Sequence, residues 1–503
     1  MDPTSCVPSL PARARRSTAW LVSLTAALAL AGLVPAGCAV NPATGERQLS
    51  LVGTEQEIAM GRDAAEQVRA TMGLYGDPDL QSYVEELGTR MARDTERPDL
   101  PWSFAVVDEP VVNAFALPGG FIYFTRGIMA YFNSEAELAA VMGHEIGHVT
   151  ARHSVEQMSR QQLAQIGLGV GAVLSEDVAR FGDVLGAGLG LLFLKYGRDD
   201  ERQSDRLGIR YMTAQGYDPR EMADVFQMFQ RQAEEAGGSG VPGWLSTHPT
   251  PASRIEEVRR MVDSLPDARV SGTRVEREAY LRRVDGMVFG PDPRNGYFQG
   301  DDFVHPALEI RLAFPGGWAR QNMAQLVVAQ GPEQDAQVRM SLAEGGSRRE
   351  AARSFFSGQG VQEVSGRETT VNGFPAYVAE LRAQGQQTTL RGIVAFVEDG
   401  SRTYQLLTVA TASAYPGHET TFRRFVGSFR RLEDRDVLAA EPLRVRLVEL
   451  ESRTTVAEVA SRRASPLEAP ELALMNGVEV DEALPAGRLI KWVEGELPEA
   501  MRD

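Results

Sequence analysis

Cysteine, lysine and long apolar runs are all scarce in this chain of 503 residues. Its two cysteines are Cys6 and Cys38, and removal of an N-terminal leader would leave Cys38 alone, which excludes an intrachain disulfide in the mature form. Lysine occurs only at positions 195 and 491, so arginine is nearly the sole cation; we read this as genomic base composition with little functional weight. Excess positive charge is also missing. A formal net charge of -16 with no basic cluster beyond the N-terminus excludes a protein that tracks nucleic-acid phosphates, because its surface would repel them. The 43% apolar and 24% charged content excludes wholesale disorder and a polytopic membrane protein, and the length predicts roughly three domains.

The N-terminus reads as an address. Arg13, Arg15 and Arg16 precede an apolar run from Ala19 to Val34, which ends in Pro35-Ala36-Gly37-Cys38. This resembles a bacterial lipoprotein signal, implying cleavage before Cys38, acylation of that residue and a membrane anchor; Pro35 departs from the usual leucine-like residue. Ala39 resembles the outer-membrane sorting pattern.

Helical periodicity runs from Glu55 to Arg97, followed by two strand-like segments at Trp102–Val107 and Gly120–Thr125 around the turn Leu117-Pro118-Gly119-Gly120. Ser134 and Glu137 form a capping-box pattern that opens an apolar helix through His148. The apolar region from Ile166 to Leu194 predicts a pair of packed core helices, with a mobile flap or membrane-facing hairpin over the site as the alternative. Alternating strands dominate from Phe303 to Leu432, and a small strand, helix, Asn476-Gly477 and strand unit closes the chain.

His144-Glu145-Ile146-Gly147-His148 carries the chemistry. Two histidines four residues apart on a helix turn their imidazoles to one cation, and the glutamate beside the first can act as general base. A catalytic zinc takes three protein ligands, so a third is needed downstream. A third histidine six residues on fails, because Ser154 stands there and His153 is out of register; His153 reads as structural, with support of a ligating residue from behind as the lesser alternative. Glu201 and Asp205 instead offer two acids one turn apart, one to bind metal and one to accept the free ring N–H of a ligating histidine, although taken alone the run from Asp199 and Asp200 reads as a solvated acidic helix start.

The order Asn41-Pro42-Ala43-Thr44-Gly45, Asn113-Ala114-Phe115-Ala116-Leu117-Pro118-Gly119-Gly120, the histidine helix and Glu201 with Asp205 resembles the gluzincin metallopeptidases that include HtpX and the CaaX prenyl proteases, nearest the soluble periplasmic or lipoprotein branch typified by BepA and LoiP. The resemblance spans residues 41 to 260. It implies one Zn2+ held by His144, His148 and Glu201, general acid/base work by Glu145 and histidine orientation by Asp205. Thr247-His248-Pro249 resembles a further family motif, in which His248 either donates to the oxyanion or takes the open zinc position. The strand after the Leu117-Pro118-Gly119-Gly120 turn is expected to present a free edge to which an extended substrate adds, with Asn113, Phe115, Pro118, Gly119 and Gly120 as the candidate substrate residues.

The terminal unit is weakly similar to LysM modules, which would imply peptidoglycan contact, with a small structural cap as an equal alternative, and Phe314-Pro315-Gly316-Gly317-Trp318 is vaguely similar to PsbP-like envelope domains, which would imply substrate or partner binding. The expected architecture is a multidomain chain: a lipoprotein signal peptide over 1–37, a mainly α zincin-type metallopeptidase domain with a small β-sheet over 38–290, an α+β domain over 300–433 and a small LysM-like unit over 441–497. The expected function is hydrolysis of misfolded or unassembled cell-envelope polypeptides from an outer-membrane lipoprotein facing the periplasm. The rivals are a non-proteolytic assembly factor and a peptidoglycan-associated scaffold.

Overall fold

A computed structural model describes residues 38–168, 195–235, 243–248, 252–266, 270, 273–343, 345–358, 360–384 and 388–502. The leader and nearly all of the apolar Ile166–Leu194 region lie outside the described residues. A hairpin of β1 (Cys38–Val40) and β2 (Arg47–Leu49) leads into α1 (Thr54–Thr71) and α2 (Pro78–Arg93). Asp77 caps α2 by accepting from the backbone of Asp79 and Leu80, with Pro78 in the first turn, where its missing N–H is no loss.

A small sheet follows, formed by β3 (Ser103–Val107), β4 (Ala114–Leu117) and β5 (Phe121–Thr125) in the order β3-β5-β4. The strand after the glycine turn, β5, is therefore central: it runs parallel to β3 and antiparallel to β4. This corrects the expected edge: the outer strands are β3, which Leu74 bridges at Val107, and β4, which is left with the free edge among the described residues. All four β4 residues are buried, so the strand lacks the period-two alternation by which it would have been read.

After α3 (Arg126–Tyr131) comes α4 (Glu135–Thr150), capped as expected by Ser134, whose Oγ accepts from the Glu137 backbone at 3.0 Å. Every residue from Ala136 to Thr150 is buried, since apolar side chains line most of α4 and it lies at the centre of the domain, with His144, Glu145 and His148 turned into the interior. Around it stand α5 (His153–Leu168), α6 (Arg198–Ala214), α7 (Glu221–Glu235), the short α8 (Trp244–Thr247), α9 (Ala252–Asp263) and α10 (Arg277–Val284). Small residues bring α4 and α6 together: a Cβ on Gly143 would sit 3.0 Å from the Gly208 Cα, and one on Gly147 would sit 3.1 Å from the Ser204 Cα. That approach sets Glu201 and Asp205 of α6 against His144 and His148 of α4.

Beyond β6 (Val288–Phe289) the chain forms β7 (Tyr297–Gln299), β8 (Asp302–His305) and β9 (Ile310–Ala313). An antiparallel sheet then comprises β10 (Ala319–Asn322), β11 (Leu326–Gln330), β12 (Ala336–Leu342), β13 (Val361–Val371), β14 (Phe374–Gln384), β15 (Thr389–Asp399) and β16 (Arg402–Thr411), in the order β10-β11-β12-β16-β15-β14-β13 among the described residues. Helices α11 (Arg348–Ser357) and α12 (Tyr415–Gly427) pack on it. This is the helical-then-sheet-rich order expected.

The terminal unit runs β17 (Leu443–Glu449), α13 (Val456–Ala460), α14 (Ala469–Met475) and β18 (Leu489–Glu494). Its first strand pairs with both β18 and β6, and Leu443, Val445, Leu474, Met475 and Val493 join the core that surrounds α4. Lys491 is fully buried, and its Nζ donates to the carbonyls of Ala130, Tyr131 and Phe132 at 2.8, 3.0 and 2.7 Å. Three carbonyls converging on one atom suit a tetrahedral ammonium and not a planar guanidinium. Lysine usage therefore carries structural weight here, contrary to the compositional reading. No helix among the described residues is long and apolar enough to cross a membrane.

Candidate active site

One donor atom from each of His144, His148, Glu201 and His248 lies within 4.8 Å of the others, and all four residues are buried. His144 Nε2 is 3.0 Å from His148 Nε2 and 3.3 Å from His248 Nδ1; Glu201 Oε1 is 3.4 Å from His148 Nε2 and 3.0 Å from His248 Nδ1. Four ligands around a tetrahedral zinc, with bonds of about 2.0–2.1 Å, stand roughly 3.3 Å apart, which is the spacing found. Asp205 Oδ1 lies 2.9 Å from His144 Nδ1. A carboxylate held ionised can only accept, so Nδ1 carries the ring proton and Nε2 offers its lone pair. Buried lone pairs converging in this way fit a divalent cation.

Glu145 lies beside this cluster. Its Oε1 accepts from Trp244 Nε1 at 3.1 Å, while its Oε2 is buried with no hydrogen-bond partner. Trp244 stacks on His248 with ring centroids 4.8 Å apart, and Tyr196 lies over His148 at 3.9 Å, so the imidazoles are covered by aromatic rings. Burial pushes the His148 imidazole well below its ordinary value, keeping it neutral as a ligand must be.

Two residues escaped the sequence reading. Arg254, on α9, is buried; it donates from Nε and Nη2 to the two oxygens of Asp205 at 2.7 Å each and lies 2.5 Å from Glu201 Oε2. Burial would raise both acids, but His248 and Arg254 hold Glu201 well below the carboxylate range, and Arg254 holds Asp205 down. Charge arithmetic calls for such a group without saying which: Glu145, Glu201 and Asp205 outweigh one dication by a single charge, so a buried cation is required. The second is weighed there only as the lesser alternative: His153, read as structural, has its Nδ1 3.0 Å from the Nδ1 of His148.

The predicted substrate residues divide. Asn113 borders the free edge of β4, and its Oδ1 is buried without a partner. Phe115 stacks on Tyr123 at 5.3 Å and joins the core beneath α1. Gly119 donates to Glu57 at 3.3 Å, with φ +80°, and a Cβ there would meet the Ile58 Cα at 2.8 Å. Gly61 of α1 has no room for a Cβ beside the Pro118 carbonyl, and Gly120 packs near Trp102. The turn thus fixes the strand against α1.

Residues 78–262 match the model of peptidase family M48. The beta-barrel assembly-enhancing protease of Yersinia pestis is 30% identical over 264 residues, covering 49% of this chain and 54% of that protein. The protein of the same name from Escherichia coli K12 is 29% identical over 258 residues, or 49% and 52%. The mitochondrial metalloendopeptidase OMA1 of Schizosaccharomyces pombe is 30% identical over 242 residues, or 46% and 67%. The chain spans about half the length of the first two.

Proposed function

The chain belongs to peptidase family M48, and on that premise we propose that it is a zinc-dependent endopeptidase acting on unassembled or misfolded polypeptides of the bacterial cell envelope. The observation that carries this reading is the buried convergence of His144, His148 and Glu201 beside the unpartnered Oε2 of Glu145.

His144, His148 and Glu201 would hold the zinc. When bound, the metal supplies a Lewis acid that polarises a peptide carbonyl and acidifies water at the site. Asp205 fixes the His144 proton on Nδ1, and Arg254 keeps both Asp205 and Glu201 ionised. Glu145 Oε2 takes a proton from the attacking water and returns it to the leaving amine, while Trp244 holds the other carboxylate oxygen. The free edge of β4 receives an extended substrate as an added strand, giving backbone-driven binding with weak sequence preference.

His248 Nδ1 stands at the fourth corner of the cluster, where water must enter. We read this as a latent arrangement that opens when His248 withdraws, in preference to an oxyanion role. A holding factor would keep it closed permanently. Acylation of Cys38 would place the enzyme at the envelope, three positions ahead of Asn41. The β-α-α-β order of the terminal unit supports a LysM-like reading, although one of its faces is given to the α4 core.

The substrate assignment is tested by offering the purified chain one outer-membrane barrel polypeptide, unfolded in one sample and folded in detergent in the other. Cleavage of the unfolded form alone is expected. Equal cleavage of both, or of neither, contradicts the assignment.

A further inference from the structure

The Asn41-Pro42-Ala43-Thr44-Gly45 segment has no place in the chemistry above, yet it is tied to the metal site. It turns the β1–β2 hairpin: Asn41 N–H donates to the Glu46 carbonyl at 2.7 Å and Gly45 N–H to the Asn41 carbonyl at 2.8 Å, with Gly45 at φ +76°. We propose that this turn positions the metal site, with Asn41 acting through Gln203 and His153 to set the proton on His148 that leaves its Nε2 lone pair free; the proposal rests on the metallopeptidase reading.

The chain of assignments starts at an atom with one possible role. Ala43 N–H lies 2.9 Å from Asn41 Oδ1, and a backbone N–H can only donate, so that atom is the amide oxygen. The amide nitrogen of the buried Asn41 therefore faces Gln203, 3.3 Å from Oε1. Gln203 must present oxygen there, since nitrogen would set donor against donor. The same Oε1 lies 2.7 Å from His153 Nε2, so Nε2 carries the His153 proton. Asp200 Oδ1, 3.9 Å from Nε2, favours a proton at that position.

A neutral ring protonated at Nε2 has a bare Nδ1. That atom lies 3.0 Å from His148 Nδ1, which must then carry the His148 proton; Ser204 Oγ, at 3.4 Å, can donate to the same lone pair. His148 is left with a bare Nε2, the atom 3.0 Å from His144 Nε2 and 3.4 Å from Glu201 Oε1. Reversing the Gln203 amide inverts every assignment, and His148 Nε2 would point an N–H at the place a cation needs. Asn41 is a positioning residue, and the hairpin that begins at Cys38 is what holds it.

Asn41→Asp separates this role from a simple turn. The aspartate keeps the acceptor for Ala43 N–H but replaces the donor facing Gln203 with an oxygen, which favours the reversed amide. Zinc affinity of the purified full-length chain is read by competition with a chromogenic chelator, and histidine tautomers by 15N NMR of the zinc-free chain. Asn41→Asp and Gln203→Met are expected to weaken zinc binding about 10–100-fold, the cost of losing an outer-shell partner. Gln203→Glu, which still accepts from both neighbours, is expected to stay within about threefold of the wild type and to keep the His148 Nδ1–H signal. Wild-type zinc affinity and tautomers in Asn41→Asp would overturn the proposal; should that variant fail to fold, the same result in Gln203→Met would do so. Absence of zinc binding by the wild-type chain would overturn the metallopeptidase reading as well, an outcome no variant comparison can mimic.

Discussion

Arg254 grips both oxygens of Asp205 at 2.7 Å, and Asp205 in turn holds His144 Nδ1 at 2.9 Å. The guanidinium sits 4.5 Å from the Phe226 ring centroid and is walled from water by it. Removing one partner of a buried ion pair strands the other, at a cost of about 3–5 kcal/mol. Arg254→Met is therefore expected to lower the zinc-free melting temperature sharply, and Arg254→Lys, which lacks the planar fork, to recover less than half of the loss. Thermal unfolding of the three proteins checks both.

A pH dependence of stability follows from Glu109. Burial raises its carboxyl to about 7, with Arg126 opposing and Asp108 adding to the rise. A folded value above the unfolded one means the native state holds the proton more tightly, so this stabilisation is complete below about 4.5 and is lost as pH climbs through 7. The span corresponds to at most about 3 kcal/mol. Glu109→Gln should need more urea to unfold than the wild type at pH 8 and the same amount at pH 4.

Lys491 makes the terminal unit part of the peptidase core. Its ammonium closes the carbonyls of Ala130, Tyr131 and Phe132, directly ahead of the Ser134 cap of α4. Without it, Tyr131 keeps the Asn133 amide at 3.1 Å, but the Ala130 and Phe132 carbonyls lose the ammonium donor; at about 1–3 kcal/mol for each such group, Lys491→Met should destabilise by at least about 2 kcal/mol and Lys491→Arg should not rescue it. Truncation after residue 440 should abolish folding of the peptidase domain, measured by circular dichroism. A truncated chain that melts like the intact one contradicts this.

The legible parts of the sequence are those with a local signature. Ser134 and Glu137 announce α4 because a cap is built from neighbours, and His144 with His148 announce the metal because one helical turn sets their spacing. Glu201 and Asp205 could be read as one turn apart on α6, but what faced them could not. Arg254 lies 49 positions from Asp205 and meets it only because α9 crosses α6. The edge strand was misplaced for the same reason: strand order is a long-range property, and β4 carries no alternation to mark it. Lys491 was dismissed because composition records how often a residue occurs and nothing of where it is buried.

Latency predicts an unusual gain. With His248 closing the fourth corner, His248→Ala should bind zinc and cleave casein faster than the wild type, by the factor by which closed molecules outnumber open ones. A slower variant would instead assign His248 to transition-state stabilisation. Initial rates at saturating zinc distinguish the two.

The most direct test of the whole account is proteolysis of an unfolded polypeptide by the wild type and Glu145→Gln, with zinc content measured on the same samples. The account predicts one zinc per chain in both, cleavage by the wild type, and a loss of at least about a hundredfold in the variant, since only the proton carrier is removed. Equal cleavage by the two proteins, or a wild type that holds no zinc, would contradict it.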